Sequence, residues 1–213
     1  MCNAALFQSS SGLRQNVISG IFFKILLLFL FSFNHSHAGD VLSQITSRLV
    51  KTEITQGDFQ QEKHLKILRK PLISRGTFTY HQTKGVIWKT LTPVPSLLLV
   101  DDIRLLTAQG ELAVPAAFGK VFKAMLGGDL KQLADGFSIS GTDQKTSWQL
   151  ELKPKDELLT KIINSIVLSG DNELHYLEIR ETGGNLTRIK FDKITHPSLL
   201  TSEQEADFDR LSP

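Results

Sequence analysis

Cysteine is almost absent from this chain. Its 213 residues hold one, Cys2, so no intramolecular disulfide can form and thiol chemistry has a single seat at the extreme N-terminus. Methionine, tryptophan and tyrosine number two each. Catalytic signatures are missing as well: there is no HExxH pair, GxSxG elbow, P-loop or dinucleotide fingerprint. Long apolar runs are limited to Ile21–Phe33, which Lys24 interrupts near its start. A spanning helix needs ~20 apolar residues, and this run is shorter. Ser36-His37-Ala38 follows it, with small residues at the first and third positions, the pattern a signal peptidase prefers. Residues 1–38 therefore read as a cleaved secretory signal, with Gly39 as the new N-terminus and an uncleaved anchor as the alternative. Cys2 precedes the apolar run instead of closing it, which rules out a lipid attachment site of the usual kind.

Removing that segment changes the balance. Arg14 and Lys24 leave and no acid leaves with them, so 22 of the 24 basic residues face 22 acidic ones. Nucleic-acid binding usually needs a basic surplus, and none remains. The exported chain has no cysteine, and its length of about 175 residues suits one domain, 39–213, with a sizeable core.

What is present is mostly sheet. A leading helix places Leu42, Ile45 and Leu49 on one face, with Asp40 as its expected cap. The segment Phe59–Pro93 then alternates strongly. Phe59, Gln61 and Lys63 share one strand face. Leu72, Ser74, Gly76, Phe78 and Tyr80 share one face of the next strand, where Gly76 marks a bulge or a close backbone approach. Val86, Trp88 and Thr90 follow, and Pro93 and Pro95 stop the run. Leu97–Val100 and Ile103–Thr107 read as a hairpin around Asp101-Asp102.

The middle is helical. Pro115 suits a first turn, and Phe118, Phe122, Met125 and Leu126 form one apolar stripe. Gly127-Gly128 ends it, and Leu130 and Leu133 continue in a second short helix. Strands resume at Phe137 and Trp148–Leu152. A short helix begins near Asp156, and strands follow around Ile166, Leu177 and Ile189. The acidic stretch 201–213 reads as a short helix or a tail. The expectation is a mainly β (α+β) chain of about ten antiparallel strands, and the turn signals exclude a parallel α/β fold.

Chemistry is thin. His64, His81, His175 and His196 are not paired at metal-ligand spacing. Asp101-Asp102 point apart on any strand and fit a turn. Asp156-Glu157 open a helix, where the dipole favours negative charge. No metal, cofactor or enzymatic activity is expected.

The leading helix, Phe59 with Gln61 (an F-x-Q motif), Gly76 with Phe78 beyond it, and Trp88 with Pro93 occur in an ordered series. In that series the chain resembles the periplasmic lipoprotein carrier family, LolA, and in particular its divergent LolA-like members. The similarity covers most of residues 40–195. It implies an incomplete, strongly curved antiparallel half-barrel closed by short helices around an apolar cavity. It further implies a periplasmic carrier that shields the acyl chains of lipoproteins, or of a related envelope lipid, between inner and outer membranes. The implied partners are a lipidated protein or lipid cargo, an inner-membrane transporter, an outer-membrane acceptor and transient contact with membrane. The carrier would be a monomer. Better-known members carry an Arg-Pro dipeptide shortly before the Trp, and its Arg latches the helical lid. Here Gln82 stands six residues before Trp88, and Lys84 is the nearest cation and the candidate gate.

On this resemblance Phe59, Phe78, Tyr80, Trp88, Trp148 and Leu150 would line the cavity. Phe118, Phe122, Met125 and Leu126 would form the lid, hinged at Gly127-Gly128. Taken singly, each residue is equally at home in an ordinary core. Two other readings stay open: an envelope-assembly interaction module with a solid core, and a lipid-modifying hydrolase, which would need a nucleophile–base pair.

Overall fold

The alternating segments build one antiparallel sheet. The computed structural model describes residues 38–211 apart from 102–103 and 112–116, and the side chains of 38–40, 117 and 118 also fall outside the described residues. Helix α1 (Ala38–Arg48) precedes strands β1 (Ile54–His64), β2 (Leu72–His81), β3 (Gly85–Thr92), β4 (Ser96–Val100), β5 (Leu105–Thr107) and β6 (Gly110–Glu111). Helix α2 (Ala117–Leu126) and a 3-10 turn (Leu130–Ala134) interrupt the sheet. Strands β7 (Phe137–Asp143) and β8 (Trp148–Pro154), helix α3 (Glu157–Thr160), strands β9 (Ile163–Gly170), β10 (Leu174–Glu181) and β11 (Leu186–Thr195), and helix α4 (Ser202–Asp209) complete the order.

The strands run β6-β5-β4-β3-β2-β1-β11-β10-β9-β8-β7 across the sheet. Two meanders are joined through β1 and β11, and β6 and β7 stay unpaired at the two edges, so the sheet is not closed into a barrel. Eleven strands replace the expected ten. The addition is the two-residue β6, too short to show any alternation.

The pattern behind each strand is visible in its burial. In β8, Trp148, Leu150 and Leu152 are buried while Gln149 and Lys153 are exposed, the period-2 signature of a half-buried strand. Two glycines let aromatic rings lie on the backbone. A Cβ on Gly76 would sit 2.0 Å from the Lys89 carbonyl oxygen and 2.8 Å from the Phe59 ring, and the β2–β3 register shifts there. A Cβ on Gly57 would meet the Asp192 carbonyl oxygen at 2.8 Å, beside the shift in the β1–β11 register.

The main core lies on one face of the sheet, between it, α1 and α2. A second cluster of Ile87, Leu99, Phe208 and Leu211 lies elsewhere. Ile87 and Leu99 alternate with Trp88 and Val100 of the main core, so this cluster occupies the opposite face.

Several boundaries differ from expectation. α1 begins at Ala38, which puts Asp40 inside its first turn and not ahead of it. β5 begins at Leu105. Ile103, Asp102 and Pro115 lie outside the described residues. Within the stretch 201–213, Ser202–Asp209 is a docked helix: Thr201 and Gln204 form a reciprocal capping box, and Phe208 and Leu211 are buried.

Candidate functional site: the inner face and its covering helix

Cross-strand pairing brings distant aromatics together. Phe59 pairs with Gly76 on one side and Phe191 on the other, and Phe78 pairs with Trp88. Their rings meet on the inner face. Phe59 stacks on Trp88 with centroids 3.8 Å apart, and Phe191 approaches Phe78 edge-on at 5.4 Å. Phe122 of α2 drops edge-on to Trp88 at 5.3 Å. Edge-on and offset pairs of this kind add to what area burial alone supplies.

The residues singled out in the sequence divide into groups. Phe59, Phe78 and Trp88 form the aromatic cluster beneath α2, with Phe191 as a member sequence reasoning missed. Its partnership with Phe59 depends on the β1–β11 closure, which no local pattern announces. Tyr80 stands beneath the end of α2, where a Cβ on Gly127 would lie 2.3 Å from its hydroxyl oxygen. Trp148 and Leu150 sit farther along the sheet, fully buried, and Trp148 Nε1 donates to the Asp171 carbonyl at 2.7 Å. On α2, Met125 and Leu126 are buried and Phe122 is partly buried. Val121 and Ala124 share that face although the apolar stripe had not included them. The side chain of Phe118 lies outside the described residues.

An apolar cavity of about 40 Å³ remains between α2 and the sheet. Val121, Phe122 and Met125 form its upper wall, Ile163, Ile166 and Leu177 part of its floor, and Leu159 of α3 one side. Of the ten residues expected at a cavity, Phe122 and Met125 line it. The six sheet residues contribute none of its walls: Phe59, Phe78 and Trp88 pack against one another, Tyr80 lies at the end of α2, and Trp148 and Leu150 sit farther along the sheet.

Lys84 occupies the β2–β3 turn and pairs with Glu205 of α4. That partner belongs to the helix on the face away from α2. A neighbouring ion pair joins Lys89 to Glu203; the Glu203 hydrogen bond holds the Lys89 ammonium above its ordinary pKa.

Two polar clusters escaped sequence reading. On the outer face, Glu178 is 6% exposed, the one buried carboxylate among the described residues. It accepts from Arg188 Nε at 2.8 Å, the Tyr176 hydroxyl at 2.9 Å and Arg180 at 2.7 Å. Burial pushes its carboxyl up, but the hydrogen bonds from Arg188, Tyr176 and Arg180 outweigh that and leave it below the ordinary range. Burial and the bond to Glu178 push the Tyr176 phenol up. The second cluster puts His196 Nδ1 3.0 Å from the Thr52 hydroxyl and Nε2 2.5 Å from Glu173 Oε1. Hydroxyl, imidazole and carboxylate in series is the order nucleophilic hydrolysis uses. Here the Thr52 hydroxyl has another acceptor for its single proton, the Ile54 carbonyl at 2.8 Å. The cluster ties the α1–β1 loop, the β9–β10 turn and the end of β11 together. Among the described residues no group of three or more His, Cys, Asp or Glu is placed to hold a metal.

The chain is similar to known proteins. The family model described as outer membrane lipoprotein carrier protein LolA matches residues 50–204. A curated outer-membrane lipoprotein carrier protein from Dechloromonas aromatica is 26% identical over 190 residues, covering 84% of this chain and 86% of its own length. Among solved structures, a LolA superfamily protein from Nitrosomonas europaea aligns at TM-score 0.45 and 9% identity, over 78% of this chain and 98% of its own. A putative outer membrane lipoprotein-sorting protein domain from Vibrio parahaemolyticus aligns at TM-score 0.44 and 11% identity, over 82% and 98%. Those two alignments are too loose to bear on function; the family match spans most of the sequence, from the end of α1 to α4. The chain belongs to the outer membrane lipoprotein carrier protein LolA family.

Proposed function

We propose that this protein is a periplasmic carrier that covers the acyl chains of a lipoprotein, or of a related envelope lipid, between its sheet and helix α2. It receives them from an inner-membrane transporter and releases them to an outer-membrane acceptor. The observation that carries this reading is the seat of α2: an uncharged face of Val121, Phe122, Ala124, Met125 and Leu126 laid over an apolar cavity and an aromatic floor, with two glycines directly behind it. Gly128 has φ +70°, a conformation that favours glycine.

The physical task fits such a device. Burying one methylene is worth ~0.8 kcal/mol, so a chain of ~14 methylenes resists crossing water by roughly 11 kcal/mol. A cavity of about 40 Å³ is too small for such a chain, so on this reading loading has to open it. Loading lifts α2 from Trp88 and lets the acyl chain replace Phe122 and Met125 against the aromatic floor. Methionine suits that exchange, since its flexible side chain adapts to irregular apolar surfaces.

The filled interior favours a second reading, an envelope-assembly module whose core stays solid and whose partner binds elsewhere. Mass spectrometry of the exported protein, for co-purifying lipid and for intact lipidated protein, separates the two. A stoichiometric acyl-chain cargo supports the carrier and names its class. An empty protein that also ignores fluorescent acyl-chain probes supports the module.

A further inference from the structure

Apolar side chains left in water gather at one end of this sheet. Ten large hydrophobics are exposed among the described residues, and eight of them are at that end. The strand register shows why they meet. Lys63 pairs with Leu72, so the β1–β2 connection turns there and exposes Ile67, Leu68, Leu72 and Ile73. Thr92 pairs with Arg75, which brings out the Pro93-Val94-Pro95 connection and exposed Leu91 at the same level. His64 pairs with Leu186, and the Lys66 amide donates to Asn185 Oδ1 at 3.1 Å, so the β10–β11 turn joins them. The Thr182 amide donates to the Ile162 carbonyl at 3.0 Å, which adds α3 with exposed Leu158 and Ile162.

The segment that supplies two of these connections carries charge of one sign. From Lys63 to Val100 there are seven Lys and Arg and no Asp or Glu, in a chain whose exported part is balanced overall. Lys63 lies 3.7 Å from Glu181, and Lys84 and Lys89 pair with α4. Lys66, Arg69 and Lys70 are exposed and form no ion pair among the described residues. Of the acids near this end, Glu181 also accepts from Asn185, Glu62, opposite Ile73, accepts from Gln60 and lies 3.8 Å from His64, and Asp156 caps α3, which leaves Glu157 beside the rim.

We infer that this rim, formed by the β1–β2 connection, the β3–β4 connection and α3, docks on an anionic lipid bilayer surface. Its most exposed tips come from three separate segments: Ile67 is 88% exposed, Val94 71% and Leu158 65%. Such tips enter the headgroup layer while flanking cations meet phosphates. A protein-binding hot spot would instead be expected to centre on packed aromatic residues, and the exposed large hydrophobics include none. The placement also matters for cargo. Leu158 and Ile162 are followed in the chain by Leu159 and Ile163, which line the apolar cavity under α2. Docking this rim sets the cavity wall beside the bilayer from which an acyl chain would come. The inference deepens the carrier reading and rests on it for its purpose, though its geometry stands apart.

The test is co-sedimentation of the exported protein, its N-terminus checked by intact mass, with protein-free vesicles of phosphatidylcholine alone or mixed with phosphatidylglycerol. The protein is expected to bind the mixed vesicles far better and to lose that preference as salt rises. Replacing Lys66, Arg69 and Lys70 together by Gln is expected to weaken binding about a hundredfold. The pair Ile67→Ser and Val94→Ser is expected to weaken binding with less dependence on salt. Both variants should keep the parent's unfolding midpoint and acyl-probe binding. Equal binding by parent and variants, or no binding to either vesicle, overturns the inference, and retained acyl-probe binding would then leave the carrier reading standing. Loss confined to native inner-membrane vesicles, with protein-free vesicles bound by neither protein, would assign the rim to a protein partner and equally overturn it.

Discussion

Two helices cover the same pair of strands from opposite sides, and they are held by different physics. On the inner face α2 presents only apolar side chains to Trp88 and its neighbours. On the outer face α4 covers Ile87 and Leu99 with Phe208, but it is also tied by polar contacts. Glu203 and Glu205 pair with Lys89 and Lys84. Gln204 Nε2 donates to Gln56 and to the Thr79 hydroxyl at 3.0 and 2.9 Å. Arg104 donates to the Leu211 carbonyl. Apolar contact is non-directional and can be exchanged for another apolar surface at little net change, whereas directed hydrogen bonds are lost outright when a helix shifts. On the carrier reading, the difference singles out α2 as the helix expected to yield to cargo and α4 as the one expected to stay.

The largest effect should come from removing the shared wall. Trp88→Ala deletes the ring on which Phe59 and Phe122 rest and should cost about 3–5 kcal/mol in chemical denaturation. If α2 already moves freely, the loss will be far smaller. Phe208→Ala should cost less, about 2–3 kcal/mol, because a terminal helix can fray instead of leaving a cavity. Acyl-probe binding should survive that change and fall with Trp88→Ala.

Glu178 offers a pH-dependent probe well away from both helices. Its carboxyl titrates lower in the folded protein than in the unfolded chain. Its stabilisation is therefore complete above the unfolded carboxylate value, near pH 4.3 for Glu, and is lost as pH falls through the folded value. Glu178→Gln should cost about 1–3 kcal/mol at neutral pH and should flatten the acid limb of a stability–pH curve. Without the substitution, a limb that is already flat would contradict the assignment. The smallest effect is expected from Thr201→Ala, which breaks the capping box of α4 and should cost about 1 kcal/mol, seen as faster amide exchange in α4 and not in α2.

Strand faces were legible wherever the alternation was local. β8 follows it closely; in β2 and β3 Phe78 and Trp88 are buried as their periods imply, but the other face is buried as well, where α4 covers it. The family pattern made the open sheet and covering helices readable too. What sequence did not show depends on long-range closure. Phe191 joins the aromatic cluster only through β1–β11 pairing. Arg188 and Glu178 meet across β10 and β11. The amphipathic signal of α4 is almost nil because its charges face Lys84 and Lys89 while its last residues reach an apolar patch. The family resemblance singled out Lys84, but its partner, Glu205, lies 121 residues away. The sizes of cavities lie further beyond reach, since they depend on how closely side chains interlock and not on which residues are apolar.

The most direct test of the exchangeable lid is amide hydrogen exchange on α2 and α4, with and without a saturating acyl-chain ligand. The account predicts that protection at residues 117–126 changes on loading, as the helix leaves Trp88 for the ligand, while protection at residues 202–209 stays as it was. Equal protection of both helices, unaltered by a ligand that demonstrably binds, would contradict it.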